Sequence, residues 1–276
     1  VTGSSELRRL TLADVAGGFA LSTEAGWNQS EADWRFLLGA GAGIGVEDGG
    51  RLVGTAIVLP LDDRVGWIAM VLVALSHRKR GLATAMMDWA VAHCRRHGLV
   101  AALDATPAGR EVYRRLGFAD GPGILRLAAP PGFGRAEDTS GVELAEILAF
   151  DRPAFGIDRG AILRELAERT PALVIGCRRE GRLAGYALGR FGRVACEIGP
   201  VVAEDEATAL ALLRAACSRA EGRPVIADVF EAHAGFLRSL LEAGWTEQRP
   251  FTRMAIGALP PGVPERVFAI AGPEYA

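Results

Sequence analysis

Apolar positions along the chain fall into short, regularly broken runs, and the spacing inside each run separates strand from helix. Glu6 to Thr11 alternates and predicts a strand. Asp14 to Ala25 and Ser30 to Leu38 carry helical spacing, the second opened by Ser30 and Asp33 in a cap-like arrangement. Ile44–Asp48 and Leu52–Leu61 alternate around Asp48-Gly49-Gly50-Arg51, the composition of a hairpin turn. Asp62-Asp63-Arg64 turns the chain again into the apolar run Val65–Leu75. A helix is expected from Leu82 to His97, stopped at Gly98. A buried strand at Val100–Ala105, a short helix at Ala108–Leu116 and a strand at Ile124–Leu127 complete the order β-αα-βββ-α-β-α-β.

Ala129-Pro-Pro-Gly-Phe-Gly134 has the composition of a linker, and beyond it the pattern repeats. Strands are expected at Val142–Leu148, Ala172–Arg178, Leu183–Arg190, Val194–Val202, Val225–Val229 and Phe251–Ile256. Helices are expected at Arg159–Arg169, Ala207–Ala220 and Gly235–Ala243. Leu52-Val-Gly54 answers Leu183-Ala-Gly185, and Leu116-Gly-Phe118 answers Ala243-Gly-Trp245. Two copies make a duplication rather than a solenoid. The expectation is an α/β (α+β) chain of two domains, 1–130 and 135–276, each a mixed, mostly antiparallel sheet flanked by helices.

Composition narrows the function classes. With 276 residues, 50% of them hydrophobic and 23% charged, the chain is globular and long enough for two domains. A formal net charge of −2 provides no field to recruit nucleic acid. No run approaches the ~18 uninterrupted apolar residues of a membrane span, and the first residues carry no leader-like apolar core. The missing initiator Met reads as processing or trimming. Cys94, Cys177, Cys196 and Cys217 show neither CxxC nor zinc spacing, which fits a reducing, cytoplasmic setting. His93 and His97 stand at helical i,i+4 spacing without a third ligand, so no metal is expected.

One basic cluster stands out against this neutral background. His77-Arg78-Lys79-Arg80-Gly81 joins an apolar strand to a helix, the setting in which free backbone N–H groups and the helix dipole converge on an anion. Gly81 permits close backbone approach and the small Ala83 leaves the first turn uncrowded. The glycines of Gly39–Gly45 lie in the order helix, glycines, strand, the reverse of a dinucleotide-binding turn. At the matching junction the second copy has Ala203-Glu-Asp-Glu-Ala-Thr-Ala209, shorter and acidic. Carboxylates there suit the helix and repel phosphate, so only the first half should hold the anion. Tyr113 has Leu240 as its counterpart when Gly117 is aligned with Gly244.

These residues resemble the GNAT (Gcn5-related N-acetyltransferase) family: Arg78-x-x-Gly81-x-Ala83 after an apolar strand, and Tyr113 four residues before Gly117-Phe118. The second half resembles the degenerate C-terminal domain of a tandem-GNAT subgroup. It does so through Asp151-x-x-x-Phe155-Gly156-x-Asp158-Arg159, Ile198-Gly-Pro-Val-Val-Ala203 and Phe251-x-Arg-Met254. Thr106-Pro-Ala-Gly109 is similar to the same subgroup. The resemblance implies transfer of an acetyl group from acetyl-CoA to a primary amine of a small molecule by direct attack. It implies that the amides of Lys79, Arg80, Gly81, Leu82, Ala83 and Thr84, with the charges of Arg78 and Arg80, hold the CoA pyrophosphate. Backbone groups of Val71 and Val73 would pair with the pantetheine, the N–H of Leu72 or Val73 would polarise the thioester carbonyl, and Tyr113 would protonate the leaving thiolate.

The acceptor side is less defined. Many family members carry a Glu on the strand before the clamp, and Val65–Leu75 has no acid. Glu24, Asp104, Asp151, Asp158 and Asp228 stay open as bases. Trp27 and Trp34 flank the acceptor loop of the family, and Asp151, Asp158 and Arg159 are read either as acceptor recognition or as an ion pair between the halves. A non-catalytic acyl-CoA sensor is the alternative function, and a homodimer is left open.

Overall fold

A computed structural model describes residues 7–276, so Glu6 of the expected first strand lies outside the described residues. The chain divides into two compact units that do not follow chain order. Unit 1 gathers the residues up to Leu103 with Glu111–Ala119 and Ala255–Leu259; unit 2 gathers Asp104–Arg110, Asp120–Met254 and Pro260–Ala276.

Unit 1 is built on the strands β1 (Leu7–Arg9), β2 (Ala42–Asp48), β3 (Arg51–Leu61), β4 (Val65–Val73) and β5 (Val100–Ala105), adjacent in that order. β1 to β4 form an antiparallel meander and β5 joins β4 in parallel. A parallel neighbour needs a crossover, and the 15-residue helix α3 (Leu82–Arg96) supplies it. α3 packs on β3 and β4. Gly54 of the repeated Leu-x-Gly motif makes room for it, since a Cβ there would stand 3.0 Å from the Met86 methyl. α1 (Val15–Glu24) and α2 (Glu31–Ala40) pack on each other and on β3. Ser30 and Asp33 close the expected capping box of α2.

Next along the chain come α4 (Pro107–Arg115) and β6 (Ala119–Ala128). The second copy continues with α5 (Leu144–Phe155), α6 (Gly160–Arg169), β7 (Ile175–Arg179), β8 (Arg182–Phe191), β9 (Cys196–Ala203), α7 (Glu206–Ser218), β10 (Val225–Phe230), α8 (Ala234–Glu242), β11 (Thr246–Ile256) and β12 (Val267–Ala269). In unit 2 the strand order is β11-β6-β10-β12-β9-β8-β7.

Two features depart from the sequence reading. Val142–Leu148, expected as a strand, is mostly the start of α5. Glu143 and Glu146 form a capping box there, and the buried Ile147, Asp151 and Ala154 recur at helical spacing. The apolar Val142, Leu144, Ile147 and Leu148 fit either period over so short a window, and Pro153 lies inside the helix against expectation.

The second departure is an exchange of strands. β6 ends the first copy, yet it pairs antiparallel with β10 of the second, from Ile124↔Phe230 to Ala128↔Ile226. Two matching ion pairs accompany it, both inside unit 2. Arg126 of β6 grips Asp228 of β10 through Nε at 2.7 Å and NH2 at 2.6 Å, and reaches Glu197 at 2.9 Å. Arg253 of β11 grips Asp104 of β5 at 2.9 Å through both nitrogens. Aligning Gly117 with Gly244 also aligns Arg126 with Arg253, and the β4–β5 and β9–β10 registers align Asp104 with Asp228. Each copy therefore lends its last-strand Arg to the other copy's Asp.

Candidate active site

β4 is apolar because it is buried, and one extra residue interrupts its ladder with β3. Thr55 faces Leu72 and Ile57 faces Ala69, so Ala56 alone spans Met70 and Val71. Met70 adopts φ 53, a left-handed conformation that few side-chain-bearing residues take. Thr55 Oγ1 donates to the Met70 carbonyl at 2.8 Å within the core and pins the bulge. A bulge increases local twist and re-aims the residues beyond it. On its other edge β4 pairs with β5 only from Val65 to Trp67. From Ile68 to Val73 that edge has no strand partner among the described residues. Val71 and Val73 are half-buried there, with Leu72 buried between them.

The chain leaves β4 through a 3-10 turn, Leu75–His77, and the basic residues that follow are exposed. Lys79 takes φ 62 and Gly81 φ 79, and Gly81 is the N-cap of α3 without a side-chain cap bond. The first-turn amides of a long helix are thus left for an outside acceptor. The side chains around them are tethered to the loop: Arg78 Nε donates to the Val73 carbonyl at 3.3 Å and Arg80 NH2 to the Ser76 carbonyl at 3.0 Å. His77 Nε2 meets Asp48 Oδ2 at 2.9 Å, and Glu24 of α1 accepts from the Leu75 N–H at 3.0 Å.

The second copy repeats the frame and fills it. β8 and β9 carry a bulge at the same place, with Ala187 facing Val201 and Gly189 facing Ile198; the cis Gly199–Pro200 bond lies in it. By register Val201 and Val202 answer Val71 and Leu72. Both are already paired, because β12 lies between β9 and β10 with Val267↔Val202 and Ala269↔Val201. Ala269 also faces Val229 of β10. After β9 only two residues precede α7, and Asp205 caps that helix by accepting from the Thr208 N–H at 2.9 Å. The helix end that is open in one copy is satisfied internally in the other.

Comparison with known proteins agrees with this duplication. A model described as the Acetyltransferase (GNAT) family matches residues 12–118, and one described as the Acetyltransferase (GNAT) domain matches 147–269. The two matches, one per copy, together take in most of the chain. The chain belongs to the GNAT family, as two GNAT domains in tandem. The uncharacterized N-acetyltransferase YitH of Bacillus subtilis (strain 168) is 25% identical over 249 residues, 87% of each chain. Among solved structures, a candidate acetyltransferase from Pyrococcus horikoshii gives a TM-score of 0.85 at 18% identity, over 100% of this chain and 98% of that one. A tandem GNAT protein from the clavulanic acid biosynthesis pathway, solved without AcCoA, gives 0.64 at 18% identity, over 92% and 100%. The structural likenesses establish the fold, and membership of the GNAT family supports N-acetyltransferase activity.

The remaining candidate residues have different settings. Tyr113 lies on α4, half-buried, its ring centroid 6.0 Å from that of Phe118. Loss of water around the ring pushes its phenol up to about 12, so it stays protonated at neutral pH. Trp27 is half-buried in the turn between α1 and α2, where its N–H bonds the Ser22 carbonyl at 2.9 Å. Trp34 is core: it is fully buried, its Nε1 donates to Ser22 at 3.0 Å, and only a glycine fits at position 18 beside its ring.

Asp151 and Arg159 meet each other within unit 2. The guanidinium grips Asp151 at 2.8 and 3.1 Å, stacks 3.8 Å over Phe155 and donates to the Ala276 carbonyl. Tyr186 donates to the same carboxylate, so the pair is buried and internally satisfied. Asp158 is exposed and accepts from the Gly160 N–H at 2.8 Å. Of the five carboxylates open as bases, Asp104, Asp151 and Asp228 are held by guanidinium groups, and Glu24 is the one bonded to the clamp loop. Sequence reasoning missed Thr55, the Met70 bulge and β12. A threonine in a buried strand and a three-residue strand near the end of the chain carry no local signal.

Proposed function

We propose that the first GNAT domain, residues 1–130, binds acetyl-CoA and transfers its acetyl group to the primary amine of a small molecule by direct attack. The observation that carries this is the contrast at the two strand-to-helix junctions. The residues of the first fit a pyrophosphate, with uncapped α3 amides, left-handed Lys79 and Gly81, and the charges of Arg78 and Arg80. Bound there, acetyl-CoA supplies an activated acetyl thioester.

The amides from Lys79 to Thr84 hold the pyrophosphate, and the free edge of β4 receives the pantetheine through Val71 and Val73 as an added strand. The N–H of Leu72 or Val73 donates to the thioester carbonyl where negative charge develops. A neutral amine is nucleophile enough, so no enzyme nucleophile is required. As the acylated nitrogen releases a proton to water, Tyr113 gives its own to the departing thiolate and is reprotonated from solvent; its raised pKa keeps the donor form populated. Trp27, half-buried after α1, is the residue of this domain to test against the acceptor; Asp151 and Arg159 are paired with each other inside unit 2 and serve that unit's packing.

Calorimetry with acetyl-CoA and a thiol-release screen over amines, amino acids and aminoglycosides test this reading. Stoichiometric binding, lost in the Arg78→Glu/Arg80→Glu variant, is expected. Absence of binding, or binding indifferent to that variant, removes the clamp assignment. Binding without turnover on any amine leaves the acyl-CoA sensor, which the acid-free β4 favours.

A further inference from the structure

The other end of α3 bounds a cavity of about 450 Å³ in unit 1, lined by Arg9, Ala42, Gly43, Ile44, Trp89, His93, Arg96 and His97. Its rings form a ladder on one helix face: Trp89 and His93 stand 5.2 Å apart between centroids, His93 and His97 4.5 Å. The opposite wall is the small, apolar stretch of β2. Arg9 reaches it from β1 and Arg96 from α3, and neither guanidinium has a carboxylate partner among the described residues. The neighbouring Arg8 differs, being held by Asp14 at 2.7 Å and Glu47 at 2.8 Å.

We propose that this cavity binds a small aromatic anion: a flat ring against the Trp89–His93–His97 ladder, its carboxylate or phosphate between Arg9 and Arg96. Flat rings offer stacking to one another, and planar guanidinium forks match carboxylate and phosphate oxygens. Cations in the last turn of a helix usually serve its dipole, and that accounts for Arg96. It does not account for Arg9, which belongs to a strand. The volume suits a one- or two-ring ligand. An adjoining cavity shares His93 and His97 but contains Asp62 and Asp63, so the anionic group is directed to the arginine side. The site is separate from the clamp, because His93 lies about 16 Å along α3 from Leu82 at 1.5 Å per residue.

The chain has four histidines, His77, His93, His97 and His233, so imidazole carbon–proton NMR reads the site directly. Titration of the full chain with indole-3-carboxylate should move His93 and His97 saturably and leave His77 and His233 in place. Neutral indole and inorganic phosphate should bind about tenfold or more weakly, since each lacks half of the recognition. Arg9→Glu/Arg96→Glu, two exposed positions, should abolish the shifts while the spectrum stays dispersed. Movement confined to His77, no saturable movement, or shifts that survive the double charge reversal would overturn the proposal.

Discussion

β4 and β9 occupy the same place in the two copies, contain matching bulges and end opposite the glycine of the same Leu-x-Gly motif, Gly54↔Val73 and Gly185↔Ala203. Around β4 the edge beyond the bulge has no strand partner among the described residues, the loop is long and basic, and the α3 N-cap makes no side-chain cap bond. Around β9 the chain's own β12 fills the edge, the loop shrinks to two residues, and Asp205 caps the helix. Duplication thus produced one frame with a slot and one with a plug. The difference teaches that a binding edge and a core edge can share a fold and be separated by a few terminal residues.

What the copies hold in common is the exchanged strand, and disturbing it should have the largest effect. Arg126→Met strands Asp228 and takes one guanidinium partner from Glu197, which Arg190 still holds at 2.9 Å. Removing one member of a buried ion pair costs about 3–5 kcal/mol, and Arg126 also serves Glu197 beside the stranded Asp228. Arg253→Met strands Asp104 and should cost less. Urea denaturation of the two variants checks the ranking, and equal losses would mean that the pairs are equivalent after all.

The clamp comes next. Arg78→Glu/Arg80→Glu places two carboxylates where the second copy has its acids. CoA affinity should fall about a hundredfold or more, roughly 2.7 kcal/mol, with little change in stability because both side chains are exposed. A variant that loses stability instead would mark the loop as structural.

Tyr113→Phe removes the proposed acid and keeps the ring. If Tyr113 protonates the thiolate, kcat should fall about a hundredfold with CoA affinity unchanged. The wild-type rate should hold through pH 10, since desolvation pushes the phenol up to about 12. Leu240, the counterpart, is fully buried, whereas Tyr113 is half-buried. Unchanged kcat at every pH would reduce the contrast between these two positions to packing.

Much of this was legible in sequence, and for a physical reason. The strand, basic turn and helix around Gly81 are specified by residues within a few positions of one another, and so is the acidic counterpart at Asp205. The helix α5 was lost because its first turns fit two periods and contain Pro153. The strand exchange and β12 depend on pairings forty or more residues apart in the chain. Ile124-Leu-Arg-Leu127 alternates like a half-exposed strand, and only β10, which supplies Asp228, turns Arg126 into a buried residue. Thr55 gives no sign of its role until Met70 is seen to turn its carbonyl toward it.

The smallest effect asks which of the three differences silences the second copy. Asp205→Ala uncaps α7, removing the bond to the Thr208 N–H, and should cost about 1 kcal/mol of stability. The lost contact with the exposed Arg179 adds little. The variant has an open helix end, yet its loop is still short and β12 still occupies the edge of β9. CoA should therefore bind once per chain with unaltered affinity, as calorimetry would report. A second equivalent of CoA would show that the acid alone kept the cofactor out and that the plug is incidental. A single equivalent assigns the exclusion to β12 and the loop, elements that one substitution cannot restore.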